Sequence, residues 1–107
     1  MKLVYIAGKY RDKNLWGVTQ NIREAERVMV AYLKMGFAVI CPHKNTAYLD
    51  GSCGDGDDHI YLDMDLEMLG RCDIIVMLTN WERSEGAKKE LEYARAHGLK
   101  VVFDHGD

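Results

Sequence analysis

A chain of 107 residues, 48% of them apolar, supplies one modest hydrophobic core and leaves no material for a second. Its net charge of −3, with no basic run, argues against a nucleic-acid duplex or an anionic membrane as the main partner, and no stretch has the apolar length of a membrane span. The cysteines, Cys41, Cys53 and Cys72, are odd in number and form no C-x-x-C pair, which fits reduced thiols and a cytoplasmic location better than a disulfide framework.

Met1 to Val4 leads straight into an apolar run, so no signal peptide is expected. Leu3 to Ala7 is continuously apolar and ends at Gly8, the pattern of a strand covered on both faces. Lys9 to about Gly17 reads as a loop. A helix follows, with Ile22, Ala25, Met29, Tyr32 and Leu33 on one face and its end at Gly36. The capping-box spacing of Asn21 and Glu24 places its start near Asn21 or a turn earlier. Phe37 to Cys41 is a second strand, closed by Pro42, which has no amide for a ladder. His43 to Asp57 is irregular, and its Gly51 to Asp57 part is too glycine-rich for a packed element. Asp58 to Gly70 is helical, with Leu62, Leu66 and Leu69 as its stripe. Asp73 to Leu78 is the third strand, and Thr79 to Arg83 a short loop. From Ser84, a good N-cap, a helix runs to Gly98, with Ala87, Leu91 and Ala94 inward. Lys100 to Phe103 is a last strand, and Asp104 to Asp107 a tail.

Strands alternating with helices predict an α/β fold in one domain over residues 1–107. It is a three-layer, flavodoxin-like or Rossmann-like parallel sheet of four strands in order 2-1-3-4, with helices on both faces. In such sheets ligands bind beyond the carboxyl ends of the strands at the topological switch, here between the first and third strands. Three loops meet there: Gly8 to Arg11, Pro42 to Asp57, and Thr79 to Ser84.

Two helices each carry an acid out of place. Glu90 lies three residues after Ala87 and four before Ala94, and Asp65 lies three after Leu62 and four before Leu69. Asp58 and Tyr61 lie toward the same side as Asp65. A carboxylate at the edge of an apolar stripe either finds a partner or lines a cavity, because burying it alone is expensive. A pair of acids is what glycosidic chemistry needs: one attacks or stabilises the sugar carbon and the other handles the leaving group's proton. The alternative is structural, with each acid bonded to backbone or to Arg71, Arg83 or Arg95.

The loop at Gly8 is no dinucleotide fingerprint, though glycine at a strand end lets a ligand approach the backbone. Ser84 and Gly86 open a helix and so offer free amides to an anion; Glu82 and Glu85 oppose this, and Arg83 and Arg11 offset it only if they converge. His43 either touches a base or sugar or is a solvated loop histidine. Trp81 either stacks on a base or roofs the core. Asp55, Asp57, Asp58 and His59 lack metal-site spacing, Cys53 has no evident base partner, and no metal or other cofactor is expected.

Tyr5-Ile6-Ala7-Gly8, then Asp65-Leu66-Glu67-Met68-Leu69 with Cys72-Asp73, then Ser84-Glu85-Gly86-Ala87 with Glu90-Leu91 and Ala94 resemble the nucleoside 2-deoxyribosyltransferase superfamily over nearly the whole chain. The resemblance is to its compact members, which include 2′-deoxynucleoside 5′-phosphate N-hydrolases. It implies that Glu90 is a nucleophile forming a covalent deoxyribosyl-enzyme, that Asp65 is an acid beside sugar and base, and that Tyr5 orients the nucleophile. Gly8 and Arg11 then cradle sugar or phosphate, and Ser84 and Gly86 hold a 5′-phosphate. The implied partner is a small-molecule deoxynucleoside or deoxynucleotide, with the working form a homodimer or higher homo-oligomer. Lys9 departs from the family pattern. The transferases' C-terminal extension has no counterpart before Asp107, which favours hydrolysis over transfer or a site completed by a second subunit. Two other readings remain: a non-catalytic nucleotide-binding or sensory module, and a glycohydrolase of a ribosylated cofactor such as NAD.

Overall fold

A computed structural model describes residues 1–106, so the end of the tail, Asp107, lies outside the described residues. The chain runs β1 (Leu3–Ala7), α1 (Leu15–Lys34), β2 (Ala38–Ile40), α2 (Pro42–Asn45), α3 (Asp58–Leu69), β3 (Ile74–Met77), a 3₁₀ turn (Trp81–Arg83), α4 (Glu85–Ala96) and β4 (Lys100–Phe103). The four strands form one parallel sheet in the order β2-β1-β3-β4. The strand order, the parallel sense and the α/β class are those read from the sequence.

The two-residue period of β1 and β3 sorts their side chains into two cores. Tyr5, Ala7, Ile75 and Met77 face Leu69 of α3 and Ala87, Leu91 and Ala94 of α4. Val4, Ile6, Ile74, Val76 and Leu78 face Ala25 and Val28 of α1. β1 and β3 are buried on both sides, which explains their unbroken apolar sequence, whereas the edge strands β2 and β4 are only part-buried.

Two boundaries differ from expectation. α1 starts at Leu15, earlier than the spacing of Asn21 and Glu24 suggested, because Asn14 is the cap and accepts from the Gly17 amide at 2.8 Å. Asn21 instead donates to the carbonyls of Tyr10 and Arg11 at 3.0 and 3.3 Å, and Glu24 pairs with Arg27 at 2.8 Å. Pro42 ends the second strand and also opens the four-residue α2, where its missing amide costs nothing. At α4 the expected cap holds: Ser84 Oγ accepts from the Ala87 amide at 3.0 Å. No helix among the described residues is long and apolar enough to cross a membrane.

Candidate active site

The site is built outward from β1. Its alternation turns Tyr5 toward α4, where the buried phenol donates a hydrogen bond to Glu90 Oε2. Glu90 is buried because its helical position falls beside the Ala87, Leu91 and Ala94 stripe. Burial pushes its carboxyl pKa up to about 8; the Tyr5 hydrogen bond opposes that rise and the nearby charge of Asp65 adds to it. Tyr5 is itself raised well above its ordinary value, first by burial and then by Glu90 and Asp65.

Asp65 approaches from α3. Burial raises its pKa to about 7, and its Oδ1 is sealed from solvent with no hydrogen-bond partner. Among the described residues neither Asp65 nor Glu90 is paired with an arginine; Arg71 is bound to Glu67 at 3.2 Å. The purely structural alternative for the two acids therefore has no support from ion pairing.

Both acids line one cavity of about 440 Å³. Its walls are Gly8 to Arg11 from the β1 loop, Pro42 and His43 at the start of α2, Thr46 and Asp50 from the following loop, and Asp58, Tyr61 and Leu62 of α3. The last wall is the start of α4, from Arg83 to Gly86 with Lys89. The three loops meet at the carboxyl edge of the sheet between β1 and β3, where the topology places a ligand.

Gly8, Arg11, His43, Asp58, Ser84 and Gly86 all line this cavity with Asp65 and Glu90, and Tyr5 lies behind Glu90. Trp81 does not line it: its ring packs on Phe103 with centroids 5.7 Å apart, as a roof over the core. His43 is 4% exposed and no solvated loop histidine; its Nε2 lies 2.9 Å from the Lys9 carbonyl. Arg11 is held by Asp58 at 2.6 Å and Asp50 at 3.7 Å.

Lys9, Tyr10 and Asp50 also line the cavity; the sequence put them in loops at the ligand edge without singling them out as site residues. Lys89 was missed, although it is the immediate neighbour of Glu90. Lys9 is bound to Asp12 at 3.2 Å, while Arg83 and Lys89 have no carboxylate partner among the described residues. The glycine-rich loop is organised around Asp57. Burial drives that carboxyl's pKa up, but the Cys53 and Gly51 amides, at 3.1 Å each, outweigh it and hold the carboxyl below its ordinary value. The Tyr61 hydroxyl donates to the Leu49 carbonyl at 2.6 Å, tying this loop to α3 at the cavity rim.

None of the curated proteins matches the chain. Among solved structures it is similar to a 2-deoxyribosyltransferase from the psychrotolerant bacterium Bacillus psychrosaccharolyticus. That likeness covers 94% of this chain and 70% of the other, at 19% identity and a TM-score of 0.68. It establishes a shared fold and agrees with the resemblance seen in the sequence. A family model described as Domain of unknown function (DUF4406) matches residues 2–103, and the chain belongs to that family.

Proposed function

We propose that the cavity cleaves the N-glycosidic bond of a 2′-deoxynucleoside or its 5′-monophosphate. Glu90, as a carboxylate, attacks C1′ of the sugar. The C1′–N bond breaks, its electron pair leaves with the base, and Asp65 in its acid form gives that nitrogen a proton. Water, or a second base in a transfer, then attacks C1′ of the glycosyl-Glu90 ester, gives up its proton to the Asp65 carboxylate, and releases Glu90 as a carboxylate. Tyr5 holds one Glu90 oxygen so that the other is free to attack. A 2′-deoxy sugar suits this route because it lacks the hydroxyl that withdraws electrons from a developing oxocarbenium ion.

The observation that carries this reading is the pair of acids on one cavity, both pushed to neutral pKa values and, among the described residues, neither paired with an arginine. Support for a 5′-phosphate comes from Arg83 and Lys89 beside the amide-rich start of α4. The transferase activity of the structural neighbour supports a nucleoside substrate class.

The test is a panel of deoxynucleosides with and without a 5′-phosphate, plus NAD, with free base followed by chromatography. Base release from the deoxy compounds supports the proposal. Binding without release points to a sensory module, and nicotinamide release to the glycohydrolase; either outcome overturns it.

A further inference from the structure

Past the end of β1 the Lys9 peptide has no ladder partner on either side, yet both of its polar groups are satisfied. Its amide donates to Asn80 Oδ1 at 2.8 Å, and its carbonyl lies 2.9 Å from His43 Nε2. Asn80 follows β3 and His43 follows β2, the two strands that flank β1 in the sheet. Two side chains thus extend the ladder beyond the strand ends, one from each neighbour. Both are buried, at 8% and 4% exposure. A carbonyl only accepts, so His43 Nε2 carries the hydrogen and Nδ1 is left bare; that Nδ1 is sealed from solvent with no partner.

We propose that His43 and Asn80 are positioning residues that grip the Lys9 peptide from both sides and so set the ligand-facing geometry of Lys9, Tyr10 and Arg11. This rests on the cavity being an N-glycosidase site. Glu90 and Tyr5 hang on α4 and on the strand itself, so releasing the grip displaces the binding wall and leaves the nucleophile in place. The signature is a rise in KM with kcat nearly kept. A general loss of folded protein does the opposite, lowering kcat at unchanged KM.

Hydrogen exchange on the full chain reads the clamp without substrate. The Lys9 amide is expected to exchange about tenfold or more slower than an open loop amide. Asn80→Ala removes that protection and Asn80→Asp, which keeps an acceptor, retains it, while the amides of β1 stay protected in both. In kinetics, His43→Leu and Asn80→Ala are expected to raise KM about tenfold with kcat within about threefold. His43→Gln, which keeps a side-chain N–H donor, brings KM back toward the wild-type value. Unprotected exchange at Lys9 in the wild type overturns the clamp, as does a kcat loss at unchanged KM in the variants. If the wild type releases no base, the N-glycosidase reading fails while the exchange result still decides whether the clamp exists.

Discussion

The hydroxyl of Tyr5 reaches across 85 positions of sequence to donate a hydrogen bond to Glu90 Oε2, joining a central strand of the sheet to the helix that carries the proposed nucleophile. The strand side of this contact is fully buried, so the carboxylate inherits the rigidity of the sheet. Removing the donor leaves a buried carboxyl oxygen without its partner. Tyr5→Phe is therefore expected to lower kcat/KM about 10- to 100-fold and to cost ~1–3 kcal/mol of stability. The bond also lowers the Glu90 pKa, so its loss moves the Glu90 ionisation to higher pH. Steady-state kinetics over pH, with thermal melts alongside, checks all three effects.

The pH profile follows from the same pair. Attack needs ionised Glu90 and proton donation needs neutral Asp65, whereas Asp65 titrates near 7 and Glu90 near 8. The productive arrangement is then the minor one, roughly a tenth of the singly protonated pair. A bell-shaped kcat/KM with its maximum between pH 7 and 8 is expected, its limbs belonging to the pair. Asp65→Asn should lower the rate, abolish the alkaline limb, and shift the Glu90 ionisation down by removing a neighbouring negative charge. Limbs at ordinary carboxylate values near 4 would contradict the electrostatic account.

Stability carries the opposite signature. A carboxyl whose pKa is raised by folding stays protonated in the native state while the unfolded chain has already released the proton. Its contribution is fully present below the ordinary carboxylate range and is lost as pH rises through the folded value, about 8 for Glu90. Each pKa unit is worth ~1.4 kcal/mol, which sets the scale at a few kcal/mol. Urea unfolding at pH 5 and pH 8.5 should show the wild type losing stability with rising pH. Glu90→Gln should flatten that slope and be the more stable protein at the higher pH, at the expense of activity.

Gly8 serves the floor of the cavity by lacking a side chain. A Cβ built there falls 2.5 Å from Leu78 Cδ1 and 2.7 Å from Leu78 Cβ, and Leu78 is itself fully buried in the core. Gly8→Ala must push the strand ends apart. It is expected to cost ~1–3 kcal/mol and to weaken ligand binding, as read by denaturation and by KM.

The fold was legible because its determinants are periodic. β1 and β3 are buried on both faces and read as unbroken apolar runs, and α4 shows its stripe and its Ser84 cap. The start of α1 was hidden because its first residues, Leu15 and Trp16, are 67% and 74% exposed and fall outside the helix's apolar face. Glu90 and Asp65 stood out as charges inside apolar stripes. Tyr5 looked like core until the resemblance gave it a role. The contacts of His43, Asn80 and Lys9 join the four-residue α2 to two loops, too short and irregular to show a period. Resemblance put Arg11 on a ligand, but local charge decides its resting place between Asp50 and Asp58.

The central claim is that Glu90 bonds covalently to the sugar carbon. Acid-quenched turnover of a deoxynucleotide, followed by peptide mass mapping, reads it directly. The account predicts a deoxyribosyl adduct on the peptide containing Glu90 in the wild type, with neither adduct nor base release in Glu90→Ala. Base release by Glu90→Ala at the wild-type rate, or an adduct mapped to another residue, would contradict it.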